Sequence, residues 1–332
     1  SCTGLVEQIL ASTVGGAYTP AALDTKPICA CTDHSHKSVR EVIRAQHLLS
    51  KESVFQALQW KTTNGCDKCR PAINYYLLST FPHETIDDPQ SRYINERAHA
   101  NIQKDGTFSV VPRMWGGLTT PKELRAIADA AEKYHVPTVK VTGGQRIDLF
   151  GAHLTDLPAI WEKLIAAGFE SGHAYGKALR TVKSCVGSTW CRFGLHDSVS
   201  FAIQIEERYR GIRAPHKIKG GVSGCIRECA EAQSKDFGII ATEKGWNLHV
   251  CGNGGSKPQH ALLLASDIDS ETCIRYIDRF LMFYIKTADP LTRTATWLNK
   301  LDGGIDYLRN VVVNDSLGLA EELESEMQKL VD

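Results

Sequence analysis

The chain has no surplus of charge of either sign. Its 38 lysines and arginines are matched by 38 aspartates and glutamates over 332 residues. No broad field therefore draws it to nucleic acid or to an anionic membrane, and neither is expected as a partner. It has no apolar run long enough to cross a bilayer and opens on no charged-then-apolar leader, so a cytoplasmic protein, or a piece of one, is expected. No glycine-rich dinucleotide fingerprint follows a predicted strand, which leaves no candidate nucleotide fold in the chain. Cysteine, by contrast, is abundant: there are eleven, most of them in close sets. In a long chain without a leader, such clustering favours metal or cluster ligation over disulfides. A content of 42% hydrophobic and 23% charged residues at this length supports two or three domains, each with its own core.

The pattern along the chain is α+β. In residues 1–24, Cys2 leads into a short apolar helix much as Cys69 does before Leu77, which reads as the remnant of a preceding module or, equally, as a free cysteine on a capping helix. Residues 25–82 form a small helical module in which Val39, Ile43, Leu48, Val54 and Leu58 mark short helices and Ser50 caps the one starting at Lys51. Residues 83–103, polar and carrying Asp87-Asp88 and Pro89, read as a linker. In residues 104–172 a strand at 108–111 precedes the capping box Thr120-Pro121-Lys122-Glu123. The helix it starts is expected to bury Leu124, Ile127, Ala128 and Ala131. Strands at 138–142 and 146–150 and a helix at 158–167, ended by Gly168, complete a βαββα order, a split ferredoxin-like layer. Residues 173–332 form a mixed α/β domain. It has a strand pair at 238–241 and 246–250, a helix carrying Ile274, Ile277, Phe280, Leu281, Tyr284 and Ile285, and a terminal helix carrying Leu319, Leu323 and Met327.

Two cysteine constellations stand out. Cys29-x-Cys31 with Cys66-x₂-Cys69 offers four thiolates to one centre. Zinc and a [2Fe–2S] cluster both accept such a set, and spacing alone leaves both open. Cys185-x₅-Cys191 with Cys225-x₃-Cys229 is the second. If the latter pair were helical, its sulfurs would lie one turn apart on one side. The glycine-rich approach from Lys219 to Cys225 lets backbone amides reach cluster sulfurs. Cys251 and Cys273 have no partner at ligand spacing and read as buried thiols.

The second constellation carries a resemblance. Ser223-Gly224-Cys225-x₃-Cys229-x₆-Asp236-Phe237-Gly238-Ile239 resembles the signature of the siroheme nitrite and sulfite reductases, and Trp246 to Asn253 resembles that family's cofactor loop. The similarity extends over nearly the whole chain: a BFD-like [2Fe–2S] module, a ferredoxin-like half-domain and a siroheme/[4Fe–4S] domain. This is the arrangement of the central and C-terminal part of NADH-dependent nitrite reductase large subunits. The resemblance implies a [2Fe–2S] centre on Cys29, Cys31, Cys66 and Cys69. It also implies a [4Fe–4S] cluster on Cys185, Cys191, Cys225 and Cys229, with Cys229 bridging to siroheme. It places Arg113, Arg180, Lys217 and Lys219 over the face of siroheme where the anion binds; in Lys217-x-Lys219 a strand would turn both amines to one side. Arg146, Asn253, Lys257 and His260 become candidate contacts to the siroheme carboxylates. Gly144 stands where relatives often have a basic residue, and Arg146 is expected to substitute for it.

The implied reaction is six-electron reduction of nitrite to ammonia, with electrons entering through the [2Fe–2S] centre. The BFD-like module and the single half-domain favour nitrite over sulfite, the nearest alternative. A zinc-stabilised interaction module without catalysis is the alternative from another class. Expected partners are an upstream FAD- and NAD(P)H-binding part, a small Rieske-like subunit, and a second copy of the chain, with each protomer's basic residues facing the other's cysteines.

Overall fold

The computed structural model describes residues 26–289 and 291–332. The remnant expected around Cys2 lies outside them. The chain separates at Tyr93–Ile94 into two compact units.

Among the described residues, the first unit carries three α-helices. Helix α1 (His36–Ala45) starts at Ser35, whose side chain accepts from the Ser38 amide at 3.2 Å and caps the first turn. Helix α2 (Lys51–Ala57) opens on Ser50 as expected, with Ser53 completing a reciprocal capping box. Helix α3 (Cys69–Thr80) is buried along most of its length. Val39, Ile43, Val54 and Ile73 are fully enclosed between the three helices. The segment expected as a linker is instead tied down. Asn74 on α3 donates to Asp87 at 2.8 Å and accepts from the Asp88 amide at 3.1 Å, while Lys51 reaches Asp88 at 3.0 Å. A polar stretch here satisfies a neighbouring helix rather than solvent. Its last part belongs to the second unit, as helix α4 (Ile94–Ala98) and strand β1 (Asn101–Ile102).

In the second unit, strands β2 (Phe108–Val110), β3 (Thr138–Thr142) and β4 (Arg146–Ala152) join β1 in an antiparallel sheet of order β1-β2-β4-β3. Helices α5 (Pro121–Lys133) and α6 (Leu157–Ala166) cover it, giving the βαββα order read from the sequence. The capping box of Thr120 and Glu123 forms. The buried face of α5, however, is Ile127, Ala130 and Ala131; Leu124 stays 44% exposed and Ala128 is exposed. The stripe runs i, i+3, i+4 from Ile127, and in so alanine-rich a helix composition does not fix which alanines it takes.

A mixed five-stranded sheet follows: β5 (Lys183–Ser184), β6 (Gly220–Ser223), β7 (Phe237–Thr242), β8 (Gly245–Val250) and β9 (Leu262–Ile268), in that order. The first three strands run parallel and the last three antiparallel. Helices α7 (Gly187–Trp190), α8 (Ser198–Arg208), α9 (Ser270–Thr287), α10 (Thr294–Leu298), α11 (Gly304–Val312) and α12 (Ala320–Val331) accompany it. Phe280, Leu281 and Tyr284 of α9 and Leu323 and Met327 of α12 sit in its core as expected. Two glycines permit the close layering: a Cβ on Gly220 would meet the Phe237 ring at 2.4 Å, and one on Gly238 would meet the Ala232 carbonyl oxygen at 2.1 Å. No helix among the described residues is long and apolar enough to cross a membrane.

Candidate functional site

The first centre is assembled by the first unit. Cys29 and Cys31 lie on a turn closed by the Ile28 amide to the His34 carbonyl at 3.0 Å; Cys66 and Cys69 lie at the start of α3. The four sulfurs all lie within 4.8 Å of one another. Backbone amides already point at them: Cys66 N–H to Cys69 Sγ at 3.0 Å, Cys31 N–H to Cys29 Sγ at 3.4 Å, Lys68 N–H to Cys66 Sγ at 3.5 Å. Burial pushes the Cys29 thiol up to about 12. Burial also opposes ionisation of Cys66, but the Cys69 and Lys68 amides outweigh it and bring that thiol down to about 7. Four gathered sulfurs with amide donors fit a thiolate-ligated iron–sulfur centre.

The second cysteine set is carried on loops at the C-terminal ends of two parallel strands. Cys185 follows β5, Cys191 ends α7, and Cys225 and Cys229 follow β6. The Leu195 amide bonds the Gly224 carbonyl at 2.8 Å and ties the loops together. The Gly224 amide donates to Cys185 Sγ at 3.2 Å, the kind of backbone approach expected of the glycines there. Residues 225–229 do not form a helix: they run through turns, with Glu228 left-handed at φ 60°. Cys229 is exposed and the other three are half-buried. Cys251 and Cys273 are fully buried.

At the opposite ends of the same strands lies a cationic cleft of 380 Å³, lined by Arg146, Arg180, Lys183, Lys217, Lys219 and Lys235. A parallel bridge between Leu179 and Ile218 builds it. The Arg180 amide donates to the Ile218 carbonyl at 2.9 Å, and Ile218 itself is fully buried, so the residues on either side of it turn outward into the cleft. Glu231 anchors Lys183 at 3.0 Å and Lys235 at 3.1 Å. Arg146 lies over Gly144, where a Cβ would sit 3.0 Å from the guanidinium carbon, so Arg146 occupies the space a residue-144 side chain would need.

Crowding leaves its mark on these groups. Burial first, and Arg146 next, push Arg180 down to about 9. Burial, then neighbouring guanidiniums led by Arg180 for Lys217 and Arg293 for Lys219, lower both lysines below the ordinary range. Among buried polar atoms without a hydrogen-bond partner, Nε of Arg146, Nε of Arg180 and Thr181 Oγ1 belong to the lining of the cleft, whereas Nε of Arg113 and both ring nitrogens of His173 do not. Each such group costs about 1–3 kcal/mol unsatisfied. A set this dense and basic fits a ligand with several carboxylates.

Some expected site residues fall elsewhere. Arg113 is 3% exposed and does not line the cleft. It donates to the fully buried Glu206 at 2.9 Å and stacks on Trp115 at 4.6 Å. Glu206 also accepts from the Gly116 amide at 3.1 Å and the Val182 amide at 2.9 Å, joining the Arg113 loop to the strand that follows Arg180. Asn253 uses its side chain to hold its own loop, donating to the Lys257 carbonyl at 2.8 Å and accepting from Gly255 at 3.2 Å. Lys257 is exposed, and His260 meets Gln233 at 3.1 Å on the surface. None of these three lines the cationic cleft. Lys183, Lys235, Glu206 and His173 were not singled out from the sequence. For Glu206 a signal existed: it lies four residues after Ala202 and three before Tyr209, both fully buried, so the helical period places it inside.

Comparison with known proteins agrees with this layout. The descriptions "BFD-like [2Fe-2S] binding domain", "Nitrite/Sulfite reductase ferredoxin-like half domain" and "Nitrite and sulphite reductase 4Fe-4S domain" match residues 27–79, 101–167 and 175–318. The Klebsiella oxytoca nitrite reductase [NAD(P)H] large subunit is 53% identical over the whole chain, which spans 34% of that protein. The assimilatory-type sulfite reductase of Nitratidesulfovibrio vulgaris is 36% identical over 66% of this chain and 99% of its own length. Among solved structures, the NirA protein of Mycobacterium tuberculosis shares the fold at a TM-score of 0.56 and 20% identity, over 64% of this chain and 40% of that one. The first cysteine set is therefore a [2Fe–2S] site rather than zinc, the second domain is of the 4Fe-4S type, and the chain belongs to the nitrite and sulphite reductase family.

Proposed function

We propose that the chain is the catalytic part of a nitrite reductase, reducing nitrite to ammonia with electrons delivered through its [2Fe–2S] module. The observation that carries this reading is the cationic cleft built on the same strands as the 4Fe-4S cysteines. Siroheme coupled to a [4Fe–4S] cluster, when bound, supplies the iron that holds nitrite and the electrons that reduce it. Arg146, Lys183 and Lys235 are placed to take the carboxylates of such a cofactor. Arg180, Lys217 and Lys219 hold the anion and offset negative charge as N–O bonds break. The reaction consumes protons as well as electrons, and burial brings the Lys217 and Lys219 ammonium groups closer to neutrality, where they give up a proton more readily. The BFD-like module that precedes this domain in the chain favours nitrite over sulfite, since the large subunits aligned over both are nitrite reductases.

Cys185, Cys191, Cys225 and Cys229 are the proposed [4Fe–4S] ligands. Cys229→Ser is expected to abolish the coupled siroheme–cluster signal in an anaerobic absorption and EPR comparison. Cys251→Ser, at a thiol sealed in the core, is expected to leave iron and siroheme content intact. Equal loss of iron in both variants would remove Cys229 from the ligand set.

An upstream FAD- and NAD(P)H-binding part and a small Rieske-like subunit remain the proposed partners, in a cytoplasmic setting. For a homodimer with sites shared between protomers, the single half-domain speaks in favour. Against it, the cations and the cysteines lie on the same strands of one chain. Sites complete within each protomer are therefore expected. Mixing Cys229→Ser protomers with Lys217→Met/Lys219→Met protomers should leave the mixture inactive, whereas recovered turnover would establish shared sites.

A further inference from the structure

Next to Lys219 lies a buried carboxylate that the mechanism proposed above does not use. Asp236 is fully buried just ahead of β7 and clamps the Lys219 peptide on both sides. Its amide donates to the Lys219 carbonyl at 2.9 Å, and its Oδ2 accepts from the Lys219 amide at 2.8 Å. The same carboxylate accepts from Arg293 Nη2 at 2.7 Å on Oδ2 and 2.9 Å on Oδ1, and from the Thr294 hydroxyl at 2.5 Å. One oxygen is thus shared between the guanidinium and the Lys219 amide, so Arg293 stands within two hydrogen bonds of that lysine's backbone. The chain after α9 brings it there. The Leu291 amide bonds the Pro215 carbonyl at 3.0 Å, two residues ahead of Lys217, and the Tyr284 hydroxyl donates to the Thr292 carbonyl at 2.5 Å. A second segment is therefore laced to the stretch that carries both lysines into β6.

We infer that Asp236 and Arg293 are positioning residues of the cationic cleft: they fix the Lys219 peptide and, through their opposite charges, set the pH up to which Lys217 and Lys219 stay charged. The consequence for turnover rests on the proposed reaction; the consequence for the charge of the lysines does not. Around the two ammonium groups stand Arg146 of β4, Arg180 and Lys183 at β5, Glu231 and Lys235 ahead of β7, and the Asp236–Arg293 pair. His216 adds no charge at neutral pH: its ring nitrogen accepts from the Lys217 amide at 2.8 Å, and burial brings it down to about 4. The surroundings are mostly cationic, and burial works in the same sense, so both lysines are lowered. Arg293 adds to this lowering and Asp236 opposes it at each lysine. A buried ion pair contributes little net stability once desolvation is counted, so its effect on these neighbours is the larger consequence.

The test uses single-charge changes in the full chain, with siroheme and clusters assembled for turnover. Arg293→Gln should move the alkaline limb of nitrite turnover up by about one pH unit, and Asp236→Asn should move it down by about as much. Arg293→Lys keeps the cation and should leave the limb in place. A role confined to holding the fold would lower turnover without moving the limb, and would treat the two Arg293 variants alike. A second readout needs neither cofactor nor nitrite. In urea unfolding of the cofactor-free chain, stability rises with pH from the lowered lysine value towards 10.5, because the unfolded chain binds more protons there. Compared with the parent, the onset of that rise should move up in Arg293→Gln and down in Asp236→Asn. If Asp236→Asn does not fold, the two Arg293 variants carry the test by themselves. Limbs and onsets that stay in place, or that move in one direction in both charge-removing variants, would overturn the inference. A parent protein without nitrite turnover would overturn the proposed reaction instead, and the stability onset would still decide the role of the pair.

Discussion

Replacing Lys217 and Lys219 together by methionine should lower nitrite turnover with an artificial donor by roughly 10³-fold, while the siroheme bands persist. Removing a single preorganised donor from a site of developing negative charge typically costs about 10²–10³ in rate, and here two are lost from one cleft. Methionine keeps the length of the stem, so the strand entering β6 keeps its packing through the buried Ile218. Two pH profiles separate a role on substrate from a merely structural one. Both lysines sit below their ordinary 10.5, so parent turnover should fall as pH rises through that lowered range, where the ammonium charge is lost. Stability runs the other way. Between the lowered value and 10.5 the unfolded chain binds more protons than the folded one, so folding stability of the cofactor-free chain rises with pH across that window. The double variant should lose this slope and be the more stable protein at neutral pH. Turnover near the parent level in the double variant would exclude both lysines from the chemistry.

Glu206→Ala should cost about 3–5 kcal/mol of folding stability, because it strands the Arg113 guanidinium in the interior. It also orphans the Gly116 and Val182 amides that Glu206 now accepts from. Burial raises the Glu206 carboxyl to about 7, with Arg113 pulling against it, so the group is costly to hold and is kept for what it joins. Replacing both partners by apolar residues, Arg113→Met with Glu206→Leu, should recover much of the loss, since neither charge is then left alone. Urea unfolding of the cofactor-free proteins measures both. A loss below about 1 kcal/mol in Glu206→Ala would mean that water reaches the pair and solvates the abandoned arginine.

The elements were legible wherever local chemistry was decisive. The Thr120–Glu123 box, the Ser50 cap, the strand hairpin at Gly143-Gly144 and the apolar stripe of α9 depend on residues near in sequence, and the structure forms each of them. Errors arose where a long-range partner decides the outcome. Asp87 and Asp88 look like linker residues until Asn74 and Lys51 are beside them. Within the candidate site, Arg180, Lys217 and Lys219, to which the family resemblance points, line the cleft. For Arg113 the resemblance could not show its partner Glu206, which is 93 residues away and buried in a helix. Lys235 and Lys183 escaped notice because a lone lysine reads as a solvated residue until Glu231 fixes it against a cleft. Nor could the sequence show that the Asn253 amide holds its own loop.

The parallel strands β5 and β6 act as a ruler. Arg180 precedes β5 and Cys185 follows it; Lys219 precedes β6 and Cys225 follows it. At about 3.3 Å per extended residue, Arg180 and Lys219 are set at most some 17–20 Å along the chain from Cys185 and Cys225. Gly220 of β6 and Gly238 of the adjoining β7 are packed against their neighbours with no room for a side chain, so β6 is held without slack. An inserted or deleted residue between Arg180 and Cys185 would put β5 out of register with β6, disturbing the cationic cleft and the Cys185 loop together. Cationic cleft and cysteine loops are thus inherited as a single part: either end can be retuned by substitution, but neither can be moved along the chain without shifting the other.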